Sequence, residues 1–129
     1  MRLVKSPKME ELDVLDGLLT EKITNKEPPK VALSRVKFTQ FLVQQYGISD
    51  EKDDPMCVSR LARFGVEGVK HQDPEVRQAG QELLLVLYKV DQETVRAEMP
   101  EDNYRTRRSH AIKYVFEQMD DYDRRHISR

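Results

Sequence analysis

Three histidines, one cysteine and a short acidic run are the residues of this chain whose types could do chemistry. His71, His110 and His126 could ligate a metal, but a metal site needs several such groups converging, and none of the three has a His or Cys partner at ligand spacing. Asp120-Asp121-Tyr122-Asp123 offers carboxylates to a cation, yet it lacks the glycine and terminal glutamate of a calcium loop. It reads as solvated surface. Cys57, the single cysteine, falls on the expected inner side of a helix, which excludes an internal disulfide and suits a reducing compartment. There is no phosphate-cradling glycine loop, no nucleophile elbow and no His-Glu-x-x-His helix. The expectation is no enzyme, no metal and no cofactor.

Recognition is the remaining chemistry, and the basic patch Arg105, Arg107, Arg108, His110 and Lys113 could meet phosphates or acidic peptides. Glu101, Asp102 and Glu117 flank it, and no aromatic alternation suggests base stacking. Across the chain 22 Lys and Arg nearly balance 23 Asp and Glu, for a formal charge of −1. With no global field to draw in a polyanion, electrostatic recognition must be local and nucleic acid is not expected. No run approaches the roughly eighteen apolar residues of a membrane span. Met1-Arg2-Leu3-Val4-Lys5 lacks the apolar core of a signal peptide, so the expectation is a cytoplasmic chain with no membrane segment.

The elements that position these residues are helices. The 129 residues suffice for one core, so residues 1–129 read as a single all-α domain of about six helices. The first spans about 8–23, entered through Ser6-Pro7, with Met9, Leu12, Leu15, Leu18, Leu19 and Ile23 on its buried side. A turn at Thr24 to Pro29 leads to a helix over 30–46, closed by Gly47. Its apolar residues Val31, Val36, Phe38, Phe41, Leu42 and Val43 cover more than one face, as expected if it touches two neighbours. Asp54-Pro55 and Asp73-Pro74 each pair a capping carboxylate with a ring suited to the first helical position, predicting helices over 55–69 and 74–90. In the second of these, Val76, Ala79, Gly80, Leu83, Leu84 and Leu87 form one apolar stripe. Gly65 and Gly68 in the helix before it predict close backbone approach. A short helix over 92–98 stops near Pro100, a last one spans about 104–119, and Asp120 to Arg129 reads as a fraying tail.

Two hairpins of similar build suggest a repeat. Lys26-Glu27-Pro28-Pro29-Lys30-Val31 opens its helix much as Gln72-Asp73-Pro74-Glu75-Val76-Arg77 does. Pro29 and Pro74 stand 45 positions apart, within the roughly 40–47-residue period of HEAT-type units and beyond the 33–34 of tetratricopeptide or ankyrin units. The fold class expected is a HEAT-like α-solenoid of stacked antiparallel hairpins.

The stretch Phe64-Gly65-Val66-Glu67-Gly68-Val69-Lys70-His71-Gln72-Asp73-Pro74-Glu75-Val76-Arg77-Gln78-Ala79-Gly80, followed by Glu82 to Tyr88, resembles the TOG domain of the centrosomal protein of 104 kDa family. Val90-Asp91, Thr94-Val95-Arg96, Met99-Pro100, Tyr104-Arg105-Thr106-Arg107 and Phe116-Glu117 resemble the segment closing that domain. The resemblance covers about residues 55 to 118 and corresponds to the C-terminal half of a TOG array. It implies a module that binds tubulin or microtubules through its intra-repeat turns, in a protein of the cytoskeleton, centrosome, centriole or cilium, with other centrosomal or ciliary proteins as further partners. The residues it implies at those turns are Thr24, Asn25, Lys26, Lys30, Lys70, His71 and Arg77. Lysines on short turns would reach tubulin's acidic surface, each pair contributing about 0–1 kcal/mol, so several turns must act together. The alternative is an architectural HEAT-repeat scaffold that holds other proteins without binding tubulin.

Overall fold

Pro29 and Pro74 each open a long helix at the position where a missing backbone N–H costs nothing. The computed structural model describes residues 27–49, 51, 54 and 56–127, and the helix expected over 8–23 lies outside them. Among the described residues five helices follow in order: α1 (Pro29–Tyr46), α2 (Val58–Val69), α3 (Pro74–Val90), α4 (Gln92–Glu98) and α5 (His110–Ile127), with a 3-10 turn at Thr106–Arg108 before α5. Among the described residues there is no strand, only an isolated bridge between Ser49 and Cys57. The secondary structure of the described residues is helical, as the periodicity predicts. Gly47 ends α1 with φ at 79°, a conformation that glycine adopts without steric cost, and its N–H reaches the Val43 carbonyl at 2.8 Å.

α3 is the centre of the packing. Its stripe of Val76, Leu83, Leu84 and Leu87 is fully buried, and together with Val36, Leu61, Val95, Val115 and Met119 it forms one continuous core. α2 crosses α3 where three glycines meet: a Cβ on Gly80 would lie 2.7 Å from the Val69 nitrogen and 2.8 Å from the Gly65 carbonyl oxygen. The close approach expected of Gly65 and Gly68 is therefore present, and Gly80 is the tightest point. α1 lies along one flank of α3 in the same direction: Glu27, just before α1, touches His71, just before α3, and farther along Gln40 donates to the Ala79 carbonyl at 3.1 Å. α5 lies along the other flank, again in the same sense, with Gln81 donating to the Ala111 carbonyl and Tyr88 donating to Asp123. α2 and α4 touch through Arg63 and Glu98.

Three expectations need correction. The helix expected from residue 55 begins at Val58, because the Asp54 carboxylate accepts the Met56 N–H at 2.8 Å and the Asp54 carbonyl accepts the Cys57 N–H at 3.0 Å, closing a turn rather than capping a helix. The helix expected over 104–119 begins at His110 and runs to Ile127, so the segment expected to fray is helical to that point. Asp120 and Asp123 hold it, as described below; they are not a solvated run. Finally, of the expected apolar set Val36, Leu42 and Val43 are buried in the core, whereas Val31, Phe38 and Phe41 are exposed; Arg35 and Gln40 add polar contacts to α2 and α3.

Candidate functional site

Of the residues expected at the partner-facing turns, Lys30, Lys70, His71 and Arg77 fall among the described residues, close to where α1 and α3 begin. Thr24, Asn25 and Lys26 lie outside the described residues. Lys30 is exposed on the first turn of α1, and Lys70 is exposed at the C-terminus of α2. Between them Glu27, Pro28, Pro29, His71, Gln72, Asp73 and Pro74 line a shallow groove of about 570 Å³. The segment before α1 and the turn before α3 thus lie side by side.

His71 builds that edge from inside. It is only 2% exposed. Its Nδ1 accepts the Asp73 backbone N–H at 3.0 Å, and because an amide can only donate, the ring proton sits on Nε2, which donates to the Glu27 carbonyl at 2.8 Å. Both nitrogens are used, so His71 fixes the spacing of the two turns and offers a partner nothing directly. Arg77 acts in the same way: its guanidinium donates to the His71 carbonyl at 3.1 Å and to the Gln72 carbonyl, closing the turn over the start of α3. Asp73 caps α3, its Oδ1 accepting the N–H groups of Glu75 at 2.9 Å and Val76 at 3.3 Å. Among the described residues at this edge, the polar side chains exposed to solvent are therefore Lys30, Lys70, Gln72 and Glu75.

Glu27 and Arg35 are members of this site that the sequence does not advertise. Arg35, nearly buried, donates to Glu27 Oε1 at 2.7 Å and lies 5.3 Å from the centre of the Phe64 ring. The pair ties the first turn to α1 and α2. The other carboxylate oxygen, Oε2, is buried without a hydrogen-bond partner. Eight residues separate the pair, a spacing with no helical meaning across a Pro-Pro break, so no sequence signal marks it.

A second polar cluster joins α3, α4 and α5. Tyr88 donates to the Asp123 carboxylate at 2.7 Å while its oxygen accepts from Arg96 Nε at 3.0 Å; Arg96 also donates to Asp120 and Asp123, each at 3.0 Å. Burial, then the Asp123 hydrogen bond, push the Tyr88 hydroxyl above its ordinary pKa. Arg107 pairs with Asp102 at 2.6 Å and with Asp120 at 3.2 Å, and covers the Phe116 ring. The Arg107 hydrogen bond holds the Asp102 carboxyl below its usual range. Arg107 is thus withdrawn from the basic patch, leaving Arg105, Arg108, His110 and Lys113 exposed. No group of three or more His, Cys, Asp or Glu among the described residues is placed to hold a metal ion, and no helix among them is long and apolar enough to cross a membrane. No protein-family model, curated protein or solved structure matches the chain.

Proposed function

We propose that this chain is a tubulin-binding module that meets its partner through the edge formed by the turns before α1 and α3. The observation that carries this reading is the His71–Glu27 hydrogen bond, which holds the segment before α1 beside the turn before α3, with Lys30 and Lys70 exposed nearby. α1, α3 and α5 run alongside one another in one direction while α2 and α4 touch each other, an order that supports a HEAT-like solenoid over an up-down bundle. The reading places the chain in the cytoplasm on the cytoskeleton, at the centrosome, centriole or cilium.

Size-exclusion chromatography with purified tubulin tests it. Lys30→Glu with Lys70→Glu reverses both described charges and should weaken binding by about tenfold, given about 0–1 kcal/mol for each exposed pair and a similar repulsion on reversal. Binding that is unchanged in the double variant refutes the edge as the site. If the wild-type chain shows no complex with tubulin at all, the architectural scaffold replaces this reading.

A further inference from the structure

α1 presents to solvent a stripe that neither α2 nor α3 uses. Val31, Phe38 and Phe41 are 49%, 39% and 52% exposed, and their spacing puts them on one side of the helix with Ser34 and Gln45. The two phenyl rings lie nearly parallel with centroids 6.5 Å apart. Exposed single apolar residues are ordinary, but three on one helix face, two of them in mutual contact, form a patch. The charge around it is mixed, since Lys37 shares a groove with Glu75 and Glu82 of α3, so charge does not choose what covers the patch.

The hairpin of α2 and α3 shows how the matching face is covered there. Shifted by the 45 positions that separate Pro29 from Pro74, Val31 falls on Val76 and Phe38 on Leu83. Both are fully buried in α3, and α2, joined to α3 through the turn at 70–73, crosses it at Gly80 between them. A helix lying on α1 as α2 lies on α3 would bury Val31 and Phe38 in the same way. Phe41 falls on Val86, itself 47% exposed, so it would be the least covered of the three. Arg35 stands at the position of Gly80, so such a helix would sit farther from α1 than α2 does from α3.

We propose that residues 8–23 of this chain, which lie outside the described residues, dock as a helix antiparallel to α1 and cover Val31 and Phe38. Met9, Leu12, Leu15, Leu19 and Ile23 recur there at three- and four-residue steps, the apolar stripe such a helix needs. At 16 residues the helix is about 24 Å long, more than the about 15 Å from Val31 to Phe41. The connection through residues 24–28 reaches at most about 20 Å, which brings the segment down beside the first turns of α1. So short a tether gives it an effective concentration of about millimolar order at α1, which a partner helix or a second copy in free solution does not match. An anionic membrane fits less well, since Lys30 and Lys37 give only about 1 kcal/mol each at such a surface and stable attachment needs a larger basic cluster. The inference stands whether or not the chain binds tubulin.

The test uses the full chain. It contains no tryptophan, so Phe38→Trp places a single fluorescent reporter in the stripe. Adding Leu12→Asp with Leu19→Asp should shift its emission to the red while the helicity of the core is retained; Leu12→Ser with Leu19→Ser serves if the aspartates cause aggregation. Hydrogen exchange of the otherwise unaltered chain should show residues 12–23 at least about tenfold slower than in a synthetic peptide of residues 8–23, and Val31→Ser with Phe38→Ser should erase that protection while residues 79–87 keep theirs. Emission unmoved by the Leu12 and Leu19 variants, or exchange at 12–23 as fast as in the peptide, overturns the proposal. So does protection that appears only at concentrations where analytical ultracentrifugation shows a dimer, or only with phosphatidylserine vesicles, since the stripe then serves a second copy or a membrane.

Discussion

His71 and Glu27 are 44 residues apart in sequence and 2.8 Å apart in space, joined from a ring nitrogen to a backbone carbonyl. The contact joins the segment before α1 to the turn before α3, so losing it leaves the part-buried Glu27 carbonyl and the Asp73 amide without their partner. His71→Ala should lower stability by about 1–3 kcal/mol, the combined cost of two unmade part-buried hydrogen bonds and a small cavity. Urea denaturation at neutral pH measures it, and a loss under about 0.5 kcal/mol would show that the turns hold their spacing without the ring.

Gly80 and Gly68 should respond to alanine in opposite directions. At Gly80 the new methyl group meets backbone atoms of α2 at 2.7 and 2.8 Å, which cannot move without separating the helices. The expected loss is about 1–3 kcal/mol, even after the helical advantage of alanine. At Gly68 the nearest atoms lie at 3.4 and 3.5 Å, ordinary contact distances, so Gly68→Ala should gain up to about 1 kcal/mol. Thermal melts of the two variants decide it.

Tyr88→Phe removes the hydroxyl that bridges Asp123 and Arg96 at a position 1% exposed. The ring keeps its packing, including the edge contact with Tyr122, so the loss should be about 1–2 kcal/mol. It should concentrate in the C-terminal half of α5. Hydrogen exchange of the amides from 119 to 127 should accelerate at least about tenfold while those of α2 are unchanged; uniform acceleration would mean that the cluster stabilises the whole domain instead.

The acid limb of stability should involve Asp91 and Asp102. The Thr94 side chain and then its backbone N–H hold Asp91 below the usual carboxylate range, and Arg107 does the same for Asp102. Depressed folded-state values contribute stability that is present above the unfolded carboxylate pKa of about 3.9 and is lost as the pH falls through the folded values. Tm should stay level from pH 7 to about 5 and fall below about 4, with a shallower fall in Asp91→Asn and Asp102→Asn. A fall of equal slope in both variants would assign acid sensitivity to other groups.

Where the chain's signals were local, they read directly as structure. Asp73-Pro74 announces α3 to the residue, because the cap and the ring both act within four positions. Asp54-Pro55 carries the same two letters, but the Asp54 carboxylate bonds only two residues ahead and makes a turn. The C-terminal segment is illegible for the reverse reason: nothing within Asp120 to Asp123 shows that Arg96, Arg107 and Tyr88 stand opposite, since those contacts cross 13 to 35 positions. Likewise His71 and Arg77 belong to the expected edge but face inward, and only tertiary contact with Glu27 and the turn carbonyls reveals it. The exposure of Phe38 and Phe41 was equally hidden, because apolar periodicity records which residues could be buried and not which neighbour covers them.

Hydrogen–deuterium exchange of the full chain with and without purified tubulin tests the central claim most directly, since it reads both turns in one experiment. The turn-edge account predicts slowed exchange at residues 27 to 30 and 70 to 73 together, with residues 106 to 113 unchanged. Slowed exchange at only one of those turns, or none at either in a chain that demonstrably binds tubulin, would contradict it.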